Sequence, residues 1–170
     1  MDRRFFIAVA AAFALVACNA GPNAPTRADP ELDALFMQLA QAEDQQQAAP
    51  IEQAIWARWA DSGSPTVNIL LERANAAETA GDAELAERFL DQASDLAPDY
   101  AETWNRRANL YYSTDDYPGA IAAIQETLKR EPRHFGALAG LGLIYEELGQ
   151  QRQALEAFRA ALVIHPHYEV

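Results

Sequence analysis

Residues 101–134 read AETWNRRANLYYSTDDYPGAIAAIQETLKREPRH. Trp104, Ala108 and Tyr111 share one helical face, and Ala120 and Ile124 begin a second apolar run after a polar break. Pro132 stops that second run, because the residue before a proline avoids the α region. The stretch therefore reads as a helix, a turn and an antiparallel helix. Moving 34 residues in either direction finds the same pattern. Pro98, Pro132 and Pro166 keep the interval, as do Ala86, Ala120 and Ala154, and the small residues Ala74, Ala108 and Gly142. Large residues recur at Leu70, Trp104 and Leu138, and again at Leu90, Ile124 and Phe158. Tyr111 and Tyr145 share a position that Ala77 fills in the first copy.

The repeated small residues let two helices of one unit approach closely, and the large ones fill the space around that contact. Gly81 and Gly149 suit the left-handed residue that ends a helix. Asp29-Pro30 and Ser64-Pro65 read as an N-cap followed by proline at the first helical position. Asp99 with Glu102 reads as a capping box. Every proline beyond the N-terminal 29 residues then falls at a helix boundary. Composition agrees: 36 alanines stand against 19 Val, Ile and Thr together, which favours helices over strands.

An ungapped period of 34 over about 60% of the chain resembles the tetratricopeptide repeat, with copies at 67–100, 101–134 and 135–168. The resemblance implies an all-α fold, a short right-handed superhelix of three helix-turn-helix repeats. Arg73 and Arg107 depart from it, standing where the family usually has Leu, and Thr127 replaces a usual Ala. The arginines are expected to pack their stems and pair their heads with Asp or Glu. Residues 30–66 read as a helical hairpin, a degenerate repeat. One stripe is Leu32, Leu35, Phe36 and Leu39; the other is Ile51, Ile55, Trp56 and Trp59, with Asp44 to Pro50 as the turn. The hairpin is expected to cover the apolar start of the stack. Trp56 and Trp59 read as core, with a ligand platform as the alternative. No polar helix follows the last repeat, since only His167 to Val170 come after Pro166, so Leu155, Phe158 and Leu162 form an expected interface with another copy or a partner.

The N-terminus carries a separate message. Arg3 and Arg4 precede a charge-free apolar run from Phe5 to Val16. At twelve residues it is too short to span a bilayer and reads as the core of a signal peptide over 1–17. It closes on Leu15-Val16-Ala17-Cys18, which resembles the lipobox of bacterial lipoproteins. That resemblance implies lipidation of Cys18, the one cysteine of the chain, and an anchor in the bacterial membrane. Residues 18–29, with Pro22 and Pro25, read as a tether. Cleavage after Ala20, releasing a soluble periplasmic protein, is the alternative.

The formal charge of −12 excludes a broad electrostatic grip on nucleic acid. A single Cys excludes a disulfide framework and a cysteine-rich metal site. The chain has no phosphate-cradling glycine loop, no Gly-x-Ser-x-Gly elbow and no zinc-protease histidine pair. Catalysis, metals and cofactors are therefore not expected. His165 and His167 read as solvated loop residues. Glu146-Glu147 reads as a solvated face, since neighbouring helical residues point about 100° apart.

What the resemblance implies is a binding surface, the concave face built by the first helix of each repeat. By register it holds Asn68, Leu71, Asn75 and Glu78, then Glu102, Asn105, Arg106, Asn109 and Tyr112, then Ala139, Leu143, Glu146 and Glu147. Candidate partner-contacting residues are Asn75, Asn105, Arg106, Asn109, Tyr112, Leu143 and Glu146. Asparagine both donates to and accepts from a peptide backbone. The lysine-rich clamp of some relatives is not reproduced, since Leu71, Gly136 and Gly140 stand at its positions. The acidic balance favours a neutral or basic partner segment. The expected function is a non-catalytic adaptor, lipid-anchored at the periplasmic side of a bacterial membrane. The alternative is an envelope scaffold that self-assembles through its last helix.

Overall fold

The computed structural model describes residues 29–169. Among them are eight α-helices and no strand: α1 (Pro30–Leu39), α2 (Gln45–Ala60), α3 (Pro65–Thr79), α4 (Ala83–Leu96), α5 (Ala101–Ser113), α6 (Tyr117–Arg130), α7 (Phe135–Glu147) and α8 (Gln151–Ile164). The readings of Cys18 and of segment 1–17 lie outside the described residues. Among the described residues, no helix is long and apolar enough to cross a membrane.

The helix starts keep the sequence period. α4, α6 and α8 begin 34 residues apart, as do α5 and α7. α3 packs on α4, α5 on α6 and α7 on α8, with further contacts from α4 to α5 and from α6 to α7. The small positions lie at these contacts: Ala74, Ala86, Ala108, Ala120 and Ala154 are all buried. Ala97, Glu131 and His165 leave the helical region before their prolines, with ψ of 70°, 91° and 89°. Gly81 and Gly149 adopt φ of 77° and 68°, where a Cβ is strained.

Gly142 shows how tight the packing is. A Cβ built there would overlap the Phe158 ring on α8. Gly142→Ala gains up to about 1 kcal/mol of helix propensity and loses about 1–3 kcal/mol to overpacking. The expected net result is a loss of roughly 1 kcal/mol. A lower urea midpoint at unchanged slope would show it; an unchanged or higher midpoint would mean that the half-buried ring moves aside freely.

Local readings needed four corrections. The hairpin turn is shorter than 44–50. Asp44 caps α2 by accepting from Gln47 N at 2.9 Å, and Pro50 lies inside that helix. Asp99 and Glu102 form no capping box: Tyr100 occupies the N-cap of α5, and the Glu102 carboxylate is committed to Asn105, Arg106 and His134. Ser64 holds the N-cap position of α3 without a capping bond, whereas Asp29 does cap α1, accepting from Leu32 N at 3.1 Å. His165 is fully buried, not solvated.

A fifth correction is architectural. The hairpin does not cover the start of the stack. Leu32, Phe36 and Leu39 of α1 and Ala48, Ile55 and Trp59 of α2 share one core with Phe135 and Ala139 of α7 and Ala161 of α8. The first repeat has its own core, with Val67, Leu70, Leu71, Ala74, Ala86 and Leu90. The hairpin has folded back across the concave side onto the last repeat. All three histidines of the chain meet it there. His134 stacks on Trp59 with ring centroids 4.1 Å apart and planes 5° apart. His165 Nε2 lies 3.2 Å from Glu52 Oε2, and His167 Nε2 donates to the Ala42 carbonyl at 2.9 Å. Arg133 adds an ion pair to Asp33 at 2.7 Å and lies over the Phe36 ring. Trp56 and Trp59 are thus core, not a platform. Arg107 behaves as expected, pairing with Asp91 at 2.7 Å. Arg73 stays exposed, 6.0 Å from the Phe89 ring centre.

Candidate functional site

With α2 lying on the concave side, that face divides into a covered and an open part. The covered part runs from α7 to the start of α5. Gly136 matters here: a Cβ at this position would fall on the end of the Trp56 ring. The absent side chain leaves the space into which the indole fits. Tyr100, just before α5, donates its hydroxyl to the Trp59 carbonyl at 2.5 Å, and burial pushes that phenol's pKa up.

Glu102 joins the two parts. It is 6% exposed. Arg106 donates to Oε1 at 2.8 Å, and Asn105 donates to Oε2 at 3.1 Å. His134 accepts from Ala137 N through Nδ1, capping α7, which leaves Nε2 to face Glu102 at 3.4 Å. Burial opposes the charge on Glu102, but the bonds from His134 and Arg106 outweigh it and hold the carboxyl below its usual range.

The open part lies between α3 and α5, with the end of α2 as one wall. A shallow cavity of about 600 Å³ meets Asn75, Glu78, Arg106 and Asn109. A second of about 410 Å³ continues past Leu71, Glu72, Asn75 and Arg106 to Asp61. Asn75 and Asn109 are exposed and offer amides one repeat apart, on α3 and α5. Asp61, Glu72 and Glu78 surround the single guanidinium of Arg106, itself paired to Glu102. Hydrogen bonds from Gly63 N and Asn68 hold Asp61 below the usual carboxylate range.

Of the seven sequence candidates, the structure brings Asn75, Arg106 and Asn109 together. Asn105 is buried under α2 and serves Glu102. Tyr112 is exposed but packs beside Tyr117, with ring centroids 6.0 Å apart and away from the cavity. Leu143 and Glu146 are exposed near the end of α7 and line neither cavity. On α8, Leu155 is exposed, while Phe158 and Leu162 are half-buried. The walls that sequence reasoning missed are Ala57, Ala60 and Asp61, which belong to the hairpin. The one signal pointing to them was Gly136, a glycine early in a helix with no turn to explain it.

Comparison with known proteins agrees with this architecture. The tetratricopeptide repeat family model matches residues 71–127 and 105–169. A TPR repeat-containing protein of Rhizobium etli is 40% identical over 144 residues, which is 85% of this chain and 71% of that protein. Among solved structures, the Arabidopsis OM64 TPR domain superposes with a TM-score of 0.56 at 23% identity, over 59% of this chain and 84% of that one. The crystal structure of MamA superposes with a TM-score of 0.57 at 21% identity, over 81% of each chain. Repeats of this kind form non-catalytic scaffolds that bind other proteins. The helix pairs, their 34-residue period and these likenesses place the chain in the tetratricopeptide repeat family.

Proposed function

We propose that this protein is a non-catalytic adaptor of the bacterial envelope, anchored through lipidated Cys18, that holds a segment of a partner protein in the open groove between α3 and α5. The groove carries the reading: exposed Asn75 and Asn109 offer backbone-type hydrogen bonding on either side of Arg106. The acidic rim of Asp61, Glu72 and Glu78 selects a neutral or basic segment. The anchor rests on the sequence Leu15-Val16-Ala17-Cys18 after an apolar run.

The test uses the full chain expressed in a Gram-negative host. Intact mass of the membrane fraction is expected to begin at Cys18 with diacylglycerol and an acyl chain attached; a soluble product beginning at Gly21 would remove the anchor. Asn75→Ala with Asn109→Ala changes two exposed side chains and is expected to leave stability within about 0.5 kcal/mol. Cross-linked capture of envelope partners should fall at least fivefold and weaken with salt. Undiminished capture at unchanged helicity would move the binding site off this groove. A second reading is self-assembly through α8, favoured by Leu155 at 49% and Val163 at 82% exposure. Light scattering across a concentration series separates the two: a dimer supports self-assembly, and a monomer supports the adaptor.

A further inference from the structure

The covered part of the concave face already holds a ligand, and that ligand is a helix of the same chain. α2 lays Ile55, Trp56 and Trp59 against Phe135, Gly136 and Ala139 of α7. The receiving surface is shaped for this occupant. Gly136 leaves out the Cβ that would strike the Trp56 ring, and His134 supplies a flat face to Trp59. The seat is nonetheless imperfect. Trp59 Nε1 and His165 Nδ1 are buried with no hydrogen-bond partner, and such groups penalise the closed state. The outer clasp, Arg133 to Asp33, joins side chains 37% and 56% exposed, and such pairs stabilise little. Four residues, 61–64, separate α2 from α3, and Gly63 among them has a φ of 74° with open space around it. The hairpin is therefore held by its side chains on the last repeat, with a short link to the first.

We infer that this covered surface is a helix-binding site, and that its external ligand is an amphipathic helix of a partner protein bearing two aromatic side chains three residues apart, which enters by displacing α2. The inference deepens the adaptor reading and rests on it. Charge extends the description of the ligand. α2 runs from His165, met by Glu52, toward α3. A displacing helix in the same direction carries its C-terminal flank over Glu72 and Glu78, so that flank is basic. α2 competes as a tethered segment at high effective concentration. The apparent affinity for an outside helix is the intrinsic one reduced by the fraction of chains that are open.

The probe is a labelled synthetic peptide of residues 44–61, titrated into the full chain. In Trp56→Ala with Trp59→Ala, the resident helix loses both rings while the receiving surface is unchanged. This variant is expected to bind the peptide at least tenfold more tightly than the wild type. Adding Gly136→Leu fills the indole space and is expected to abolish binding. Hydrogen exchange should show protected amides in α3 to α8 of both variants, since α7 and α8 carry the receiving surface. If the double tryptophan variant does not fold, Asp33→Ala with Arg133→Ala opens the clasp and leaves the rings in place, and a smaller rise in affinity is expected. No rise in a folded variant, or binding indifferent to Gly136→Leu, overturns the inference. So does a variant that dimerises and ignores the peptide, since a second copy's hairpin is then the occupant. If peptide binding fails while capture through Asn75 and Asn109 persists, only this inference falls; loss of that capture as well removes the adaptor reading.

Discussion

Trp59→Ala is expected to destabilise the hairpin by about 3 kcal/mol, toward the low end of the 3–5 kcal/mol typical of such truncations, and to do so locally. The indole is 7% exposed. It lies between Phe36 at 5.9 Å, Trp56 at 5.2 Å, Phe135 at 5.1 Å and the stacked His134. Truncation loses that burial and opens a void between α1, α2 and α7. Part of the loss is returned, because Nε1 has no hydrogen-bond partner and its removal ends an unsatisfied burial. Since the first repeat has a separate core, its stability depends little on this ring. Hydrogen exchange should therefore rise across residues 30–60 while α3 to α6 stay protected. Uniform loss of protection along the whole chain would show that the hairpin and the repeats fold as one cooperative unit, and that the link at 61–64 is no hinge.

The same division explains what could be read from the sequence. The 34-residue period was legible because each copy meets the same surroundings. A position such as Ala86, Ala120 or Ala154 faces the same neighbouring helix every time, so the side chain repeats with the environment. The hairpin has no such repetition. Its stripes at Leu32, Leu35, Phe36, Leu39 and at Ile51, Ile55, Trp56, Trp59 announce buried faces, but a stripe does not say what buries it. The covering surface was encoded 75 or more residues away, in Gly136, His134 and His165, and each has an ordinary local reading as helix glycine or loop histidine. Asn105 shows how this error spread. Register alone places it beside Asn109 on the concave face, and only the position of α2 separates a buried ligand of Glu102 from an exposed amide. The capping box failed for a related reason. Glu102 stands at the right offset from Asp99, yet a carboxylate that can reach Arg106, Asn105 and His134 together gains more than one bond to a backbone amide. Pro50 was misplaced by a weaker rule. Asp44 is a strong cap, and a proline near the start of the helix it begins forfeits one backbone bond without ending the helix.

Phe135→Ala is expected to be the more damaging of the two changes, at about 4–5 kcal/mol, because of where the ring sits. Phe135 is fully buried. It meets Trp56 at 5.2 Å and Trp59 at 5.1 Å from the hairpin, and His165 at 5.1 Å and Tyr168 at 4.9 Å from the tail after α8. Two segments converge on one side chain at the start of α7, so its loss frees the hairpin and the tail together. In a stack whose units touch only their neighbours, the last repeat has one such neighbour, α6 against α7. Having lost its own Phe135 ring from beneath the tail as well as the hairpin on its inner side, that repeat should open in this variant. Exchange should then rise over 30–60 and 135–168 while α3 to α6 remain the protected part. Combining Phe135→Ala with Trp59→Ala should cost less than the sum of the two, because the rings touch and the first change already forfeits their contact. A strictly additive double variant would mean that Trp59 and Phe135 stabilise separate units. The hairpin would then be fixed by contacts outside this aromatic cluster, and replacing its rings would not open the covered face.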